Sequence, residues 1–342
     1  RASITKASAS RGQAPRPSDE MQALVLVGGF GTRLQPLTTD RPKPILEMVD
    51  RPFFAYMIDW LASHGVEEIV LACGFLPDQM QAVLGDGSPG GPKLRYVVEP
   101  EPLGTAGAIK FAAPCLQDRF FVLNGDSLTD LDLTALWDFH LDREARVSLG
   151  LYPVDDPSEF GLVELDETGS VRSFTEKRDG AGPGLISAGA YVIDHEVIDL
   201  IPGGRKVSIE HEVFPLLVDD GLYGLALDGY WKDIGTHDRY REACWDILEG
   251  RVSTGVEIHR DGVFISPEAD VSDGAEIGPR AVIGPGCRVG TRARITDSVL
   301  LQGCEIGENA VIDGSIFSPG VIVAKNAAVV NRVIGSNEFI DA

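Results

Sequence analysis

The sequence predicts an α/β domain built on a doubly wound sheet, followed by a parallel β-helix. Three observations carry this expectation. Short apolar runs alternate with amphipathic stretches over the first part of the chain. A glycine-rich turn follows directly on the first apolar run. From Ile265 onward, aliphatic residues recur every six positions. Strand–helix–strand alternation implies right-handed parallel crossovers that lay helices on both faces of one sheet. Ligands of such sheets bind beyond the carboxyl ends of the strands.

Residues 24–27 (Leu-Val-Leu-Val) are continuously aliphatic, as a strand buried on both faces must be. Gly28, Gly29 and Gly31 follow, and without Cβ atoms they let backbone N–H groups turn toward a ligand. Thr32 and Arg33 add a hydroxyl and a rigid guanidinium fork suited to phosphate oxygens. Lys43 stands between Pro42 and Pro44, which predicts a stiff, extended backbone beneath its ammonium. The combination suits a polyphosphate. It is not a P-loop, because no Gly-Lys-Ser or Gly-Lys-Thr occurs, and not a full dinucleotide fingerprint, because Leu34 takes the place of the third glycine.

Residues 52–64 predict an amphipathic helix with Pro52 at its first turn and Gly65 at its end. Residues 68–73 and 94–98 predict strands, with a short helix over 78–84 and a glycine- and proline-rich loop over 85–92 between them. Gly104 and Thr105 open the next helix, where Thr105 could simply be a cap. Residues 120–126 predict a buried strand that ends on Asn124, Gly125 and Asp126 at the sheet's carboxyl edge. A carboxylate there can hold a hard divalent cation, or merely cap a turn. A helix over 132–140, a strand over 146–152 and a hairpin of strands 160–165 and 171–177 come next. A strand over 185–193 and helices over 210–217 and 238–250 complete the domain.

Hydrophobic residues make up 44% of the 342, enough for substantial cores, and 52 acidic against 30 basic residues leave a formal charge of −22. That excess excludes nucleic acid and anionic membrane as main partners. A phosphate site must then concentrate its cations locally. The five cysteines (73, 115, 244, 287 and 304) form no CxxC pair, which fits reduced thiols and a cytoplasmic location. Residues 1–20 are polar and read as a flexible tail.

Residues 28–38 spell Gly-Gly-Phe-Gly-Thr-Arg-Leu-Gln-Pro-Leu-Thr, and residues 42–44 Pro-Lys-Pro. In this the chain resembles the sugar-1-phosphate nucleotidyltransferases, and the likeness extends from about Met21 to the C-terminus. It implies a Rossmann-like (GT-A-like) nucleotidyltransferase domain over 21–250. Leu26, Gly28, Gly29, Gly31, Thr32, Arg33, Gly104, Thr105, Asn124 and Gly125 would then meet the nucleotide. Gly161, Glu176, Lys177 and Ser187 would meet the sugar phosphate, and Asp126 with Asp233 of the Trp-Lys-Asp-Ile-Gly-Thr block would hold Mg²⁺. Arg33, Lys43 and Lys177 would be the catalytic cations. Asn is common in the family where Ser187 stands here, so a shorter hydroxyl replaces a longer amide. Phe30 and the Glu-Pro-Leu-Gly-Thr-Ala-Gly block resemble the guanylyltransferases for mannose or manno-heptose phosphates, which implies GTP. Thymidylyl- or uridylyl-transfer to glucose-1-phosphate, and a catalytically silent sugar-nucleotide-binding subunit, remain alternatives.

In the last part, Ile265, Val271, Ile277, Ile283, Val289, Ile295 and Leu301 are spaced by six, and the period resumes at Ile306 and Ile312 after a slip of one residue. Ala269, Ala275, Ala281, Cys287 and Ala293 stand two places before an aliphatic. This is a hexapeptide repeat, with one inward aliphatic per flat face of each coil. Likeness to the hexapeptide family implies a left-handed helix over 251–342. Acyltransferases on this scaffold use a histidine within the coils. Here His259 stands at the start and none follows, which leaves oligomerisation or regulation as the module's expected role, in a homo-oligomer.

Overall fold

The computed structural model describes residues 21–157, 159–175, 182–257 and 261–341. In chain order, the first domain has β1 (Met21–Val27), α1 (Phe53–Ser63), β2 (Val66–Cys73), α2 (Pro77–Leu84), β3 (Lys93–Val98), α3 (Gly104–Ala112) and β4 (Arg119–Asn124). After these come β5 (Ser127–Thr129), α4 (Leu133–Asp142), β6 (Val147–Val154), β7 (Leu162–Leu165), β8 (Val171–Thr175) and β9 (Gly184–Asp194). β10 (Leu222–Ala226), β11 (Trp231–Asp233) and α5 (His237–Leu248) close the domain.

Among the described residues, nine strands form one sheet in the order β8-β7-β9-β4-β1-β2-β3, with β6 on β9 and β10 on β6. β3, β2, β1 and β4 run parallel, as the alternation predicts. The other half departs from it: β9 is antiparallel to both β4 and β6. The chain returns from β6 to β9 through the β7–β8 hairpin rather than a helical crossover, and such a return reverses direction. Ala23, Leu24 and Val25 are fully buried, so β1 is the centre of the sheet. Leu26 pairs with Asn124 and Val27 with Cys73, so three strands stop at one level and form one rim.

The helix expected over 210–217 is instead one wide π turn, Ile209–Val213, followed by a 3₁₀ turn, Phe214–Leu217. Pro215 lacks the N–H that a continuous α-helix would need there.

The C-terminal part winds into coils whose strands stack in three parallel sheets, the architecture of a parallel β-helix of the hexapeptide type. Its stacked columns correct the register read from the sequence. Ile283 pairs with Leu300, and Leu300 with Phe317, so Leu300 and not Leu301 points inward. The slip therefore falls between Ile295 and Leu300, one step earlier than the period suggests. With two leucines in succession, spacing alone does not decide between them. Ile265, at the open first coil, is 41% exposed.

A second column faces outward on the same sheet. Val282, Val299 and Ile316, flanked by Phe264 and Val333, pack in one apolar cluster with Tyr240, Cys244, Trp245 and Leu248 of α5 and with Leu34 and Leu37 of the glycine-turn segment. Leu301 belongs to that cluster too. The two parts of the chain thus share a core. Val299 is fully buried in it, so Val299→Asp should bury an unpaired charge and cost about 3 kcal/mol or more. Val311→Asp, at a residue 38% exposed, should change stability by no more than ~0.5 kcal/mol. Urea-denaturation midpoints of the two variants check the contrast.

Candidate active site

The site starts at the end of β1. Gly31 takes φ 60, a left-handed conformation that favours glycine, and opens a 3₁₀ turn, Thr32–Leu34. Leu34 anchors the turn in the shared core, which throws Arg33 outward with its side chain 63% exposed. Thr38 Oγ1 donates to Gly31 O at 2.8 Å and closes the loop. Lys43 is not on extended backbone as the flanking prolines suggested. Pro42 is extended, but Lys43 begins a second 3₁₀ turn, Lys43–Ile45. Pro44 sits in the first turn, where its missing N–H is no loss.

β5 and β11 form a two-stranded ribbon that brings the two acids together. Asp233 pairs with Ser127, and Ile234 N donates to Asp126 O at 3.1 Å. Lys43 reaches into the junction with its side chain only 9% exposed. Its Nζ donates to Asp126 O at 3.1 Å and lies 3.8 Å from Asp126 Oδ2 and 4.0 Å from Asp233 Oδ1. Burial lowers the Lys43 pKa, and the two carboxylates only partly offset it. Asp233 Oδ2 lies 3.9 Å from Arg33 Nη2 and 3.3 Å from Arg239 Nη1. Asp233 Oδ1 is buried and has no hydrogen-bond partner. Gly235 is forced by this crowding: a Cβ there would lie 2.6 Å from Arg33 Nη2 and 2.8 Å from Asp233 Oδ1.

Beside the acids opens a cavity of about 540 Å³. It is lined by the Gly28–Leu34 turn, the end of β4, the start of α3, and Lys43, Glu99 and Lys206. The turn supplies backbone N–H groups, Arg33, Lys43 and Lys206 the positive charges, and Glu99 and Asp126 the negative ones. Two convergent carboxylates with one unsatisfied oxygen suit a hard divalent cation that keeps the rest of its shell for phosphate and water.

These features have counterparts in known proteins. The family model described as nucleotidyl transferase matches residues 22–250. The chain belongs to the nucleotidyl transferase family. A second model, the GMPPB C-terminal domain, matches residues 259–340. The mannose-1-phosphate guanylyltransferase of Mycobacterium tuberculosis is 41% identical over 261 residues, which are 73% of this chain and 73% of that protein. The mannose-1-phosphate guanyltransferase of Candida albicans is 41% identical over 295 residues, 82% and 81% of the two chains. Among solved structures, HddC from Yersinia pseudotuberculosis has a TM-score of 0.59 at 30% identity and covers 66% of this chain and 99% of its own. Its complex with GMP-PN gives a TM-score of 0.58.

All ten residues expected at the nucleotide line the cavity. Lys43 and Asp126 join them, and Asp233 stands behind Gly235. Of the sugar-side set, Gly161 and Ser187 do not line the cavity. Glu176 and Lys177 lie outside the described residues. Gly161 follows Phe160, whose ring meets Trp231 at 5.4 Å. The Ser187 hydroxyl is engaged internally, accepting from Gly189 N at 3.3 Å and donating to the Tyr191 hydroxyl at 3.2 Å. Thr105 is similarly occupied: its hydroxyl donates to Glu210 at 3.1 Å and accepts from Ile209 N at 2.8 Å.

Three neighbours were not anticipated. Glu99 accepts from Leu103 N at 2.9 Å, and burial raises its pKa. Its Glu-Pro-Glu-Pro surroundings read as a loop, so nothing local marked the carboxylate. Lys206 reaches the cavity from the far side of Gly104, whose φ of 75 and close approach to Val207 O admit no side chain. Arg239 contacts Asp233 from α5, and its helical spacing reads as solvated surface.

The lowered pKa of Lys43 fixes the sign of a stability effect. A lysine with a depressed folded pKa destabilises the fold while it is charged, and the penalty fades as pH rises from the folded pKa toward the unfolded value. Lys43→Met should therefore raise the melting temperature near neutral pH. The gain should shrink toward alkaline pH. Thermal melts from pH 7 to pH 10 (roughly the lysine range) check both statements.

Proposed function

We propose that the chain is a sugar-1-phosphate guanylyltransferase. It would form a nucleotide sugar and pyrophosphate from GTP and a mannose- or manno-heptose-type sugar-1-phosphate. The observation that carries this reading is the meeting of Arg33, Lys43, Asp126 and Asp233 beside one glycine-walled cavity. The names of the relatives and the GMP-PN complex of the Yersinia protein support the nucleotide.

A sugar-phosphate oxygen attacks the α-phosphorus in line, the bond to the β-phosphate oxygen breaks, and pyrophosphate leaves. The nucleophile is already anionic, so positioning and charge neutralisation supply the catalysis rather than a strong base. In this reading Gly28–Gly31 bind the polyphosphate through backbone N–H groups. Arg33, exposed at the rim of the turn, neutralises the departing pyrophosphate. Lys43 fixes the α-phosphate from below, and Lys177, assigned by motif alone, orients the attacking phosphate. Asp126 and Asp233 would hold Mg²⁺, which when bound supplies Lewis-acid neutralisation between the two phosphates. Residues 21–250 would carry the reaction, and the β-helix would serve self-association.

Glu99 bears on the base. A carboxylate beside Gly28 offers two acceptors, which match the N1–H and N2–H₂ donors of guanine. Uracil and thymine present a single N–H on that edge, and adenine presents an acceptor.

A panel of four nucleoside triphosphates against mannose-, glucose- and heptose-1-phosphates, read by pyrophosphate release, should show turnover with GTP and a manno-configured sugar. A preference for UTP or dTTP with glucose-1-phosphate would overturn the reading. Asp233→Asn, with its fold checked by circular dichroism, should lower kcat by about a hundredfold or more. Glu99→Gln should cut the preference for GTP by about tenfold to a hundredfold, measured as a ratio of kcat/KM values.

A further inference from the structure

Arg239 lies in the first turn of α5 and makes three contacts with one guanidinium. Nη1 donates to Asp233 Oδ2 at 3.3 Å. Nη2 donates to Glu159 Oε2. The guanidinium carbon sits 5.8 Å from the centroid of the Phe160 ring. Its own backbone N–H is held by the helix cap, Thr236 Oγ1, at 3.3 Å. Phe160 packs edge-on against Trp231, whose indole N–H donates to Ala188 O on β9 at 2.9 Å. One side chain therefore joins Asp233, the 159–161 segment and, through two rings, the strand that carries Ser187.

We propose that Arg239 is a positioning residue that clamps the sugar-contacting segment at Phe160–Gly161 to Asp233, so that sugar-phosphate binding and cation binding are linked through it. The proposal rests on the assignment of Gly161 to the sugar side and of Asp233 to the metal.

The two arms differ in strength. Asp233 is 14% exposed, so the inner arm works at low dielectric. Glu159 is 59% exposed, so the outer arm is screened and weak on its own. The segment is thus latched lightly to a firmly held carboxylate, and an arriving phosphate dianion can compete with Glu159 for the guanidinium. Lysine cannot replace Arg239, because an ammonium lacks the fork and the flat face needed for three contacts at once.

The charges around Asp233 give the clamp a signature. Arg33, Lys43 and Arg239 all face that carboxylate. Removing Arg239 lowers the positive potential there, which should tighten divalent-cation binding while loosening sugar-phosphate binding. A purely structural residue would weaken both.

The test uses the full chain with Arg239→Ala, Arg239→Lys and Glu159→Gln. Three readouts are compared: KM and kcat for the sugar phosphate, Mn²⁺ affinity by calorimetry without substrates, and amide exchange of the peptide spanning 155–162. Arg239→Ala should raise the sugar-phosphate KM by about tenfold with kcat within about threefold at saturation. It should also tighten Mn²⁺ binding and speed exchange of the peptide. Glu159→Gln should raise KM and speed exchange while leaving Mn²⁺ affinity unchanged. Arg239→Lys should keep the wild-type Mn²⁺ affinity and lose the protection of the peptide. Unchanged KM and exchange in Arg239→Ala, or weaker Mn²⁺ binding together with a lower melting temperature, would overturn the proposal. A wild-type protein that releases no pyrophosphate with any substrate pair would count against the guanylyltransferase reading instead. Mn²⁺ affinity and amide exchange would still decide the clamp.

Discussion

The arrangement depends on one buried ammonium. Asp126 and Asp233 arrive from different parts of the chain on a two-stranded ribbon, where their like charges repel at close quarters. Lys43 stands between them. At an effective dielectric near 20, each attraction at ~4 Å is worth roughly 4 kcal/mol, and dehydrating an ammonium costs several kcal/mol. The lowered pKa of Lys43 shows that dehydration outweighs the carboxylates. The site is therefore held at a cost to stability, as expected where charge has been gathered for chemistry rather than for folding.

That cost must be offset elsewhere, and the β-helix is placed to do it. The segment from Leu34 to Val49 carries Lys43 and follows Arg33 directly, and it is wedged between the sheet and the coils. Leu34, Leu37, Leu46, Met48 and Val49 share a cluster with the outward column of the β-helix. Ser336 donates to Asp40 at 3.1 Å, Arg241 donates to Gly314 O, and the Tyr240 hydroxyl donates to Glu47 O. Whatever its role in self-association, the β-helix packs against the segment that follows the glycine turn. Its first structural task lies within the chain.

How much could be read from residue order follows from which interactions are local. The central strands, the glycine turn and the hexapeptide period announce themselves because apolar spacing reports burial directly. The antiparallel half of the sheet does not, since a strand returning through a hairpin has the same composition as one returning through a crossover. Leu300 and Leu301 have identical side chains, and only stacking on Ile283 and Phe317 selects the inward one. The column Val282, Val299 and Ile316 has the period of the coil, but it is hidden by the stronger inward column beside it. In the site, Arg33, Lys43, Asp126 and Asp233 were legible through a motif. Glu99 and Arg239 were not, because a carboxylate in a proline-rich loop and an arginine on a helix both read as solvated surface until the tertiary fold gives them partners.

The same reasoning bears on sugar recognition. Ser187 is shorter than the amide common in the family and suggests a looser contact. In the structure its hydroxyl belongs to a chain of hydrogen bonds that runs through the buried Tyr191 to Glu210 and on to Thr105. Glu210 also accepts from Ser208 at 3.0 Å. A buried polar chain of this kind rigidifies what it joins, since each unmade bond would leave a desolvated group. It joins β9 to the start of α3. Ser187 thus ties β9 to the start of α3, and in the proposed reading that fixes the spacing of the sugar and nucleotide subsites.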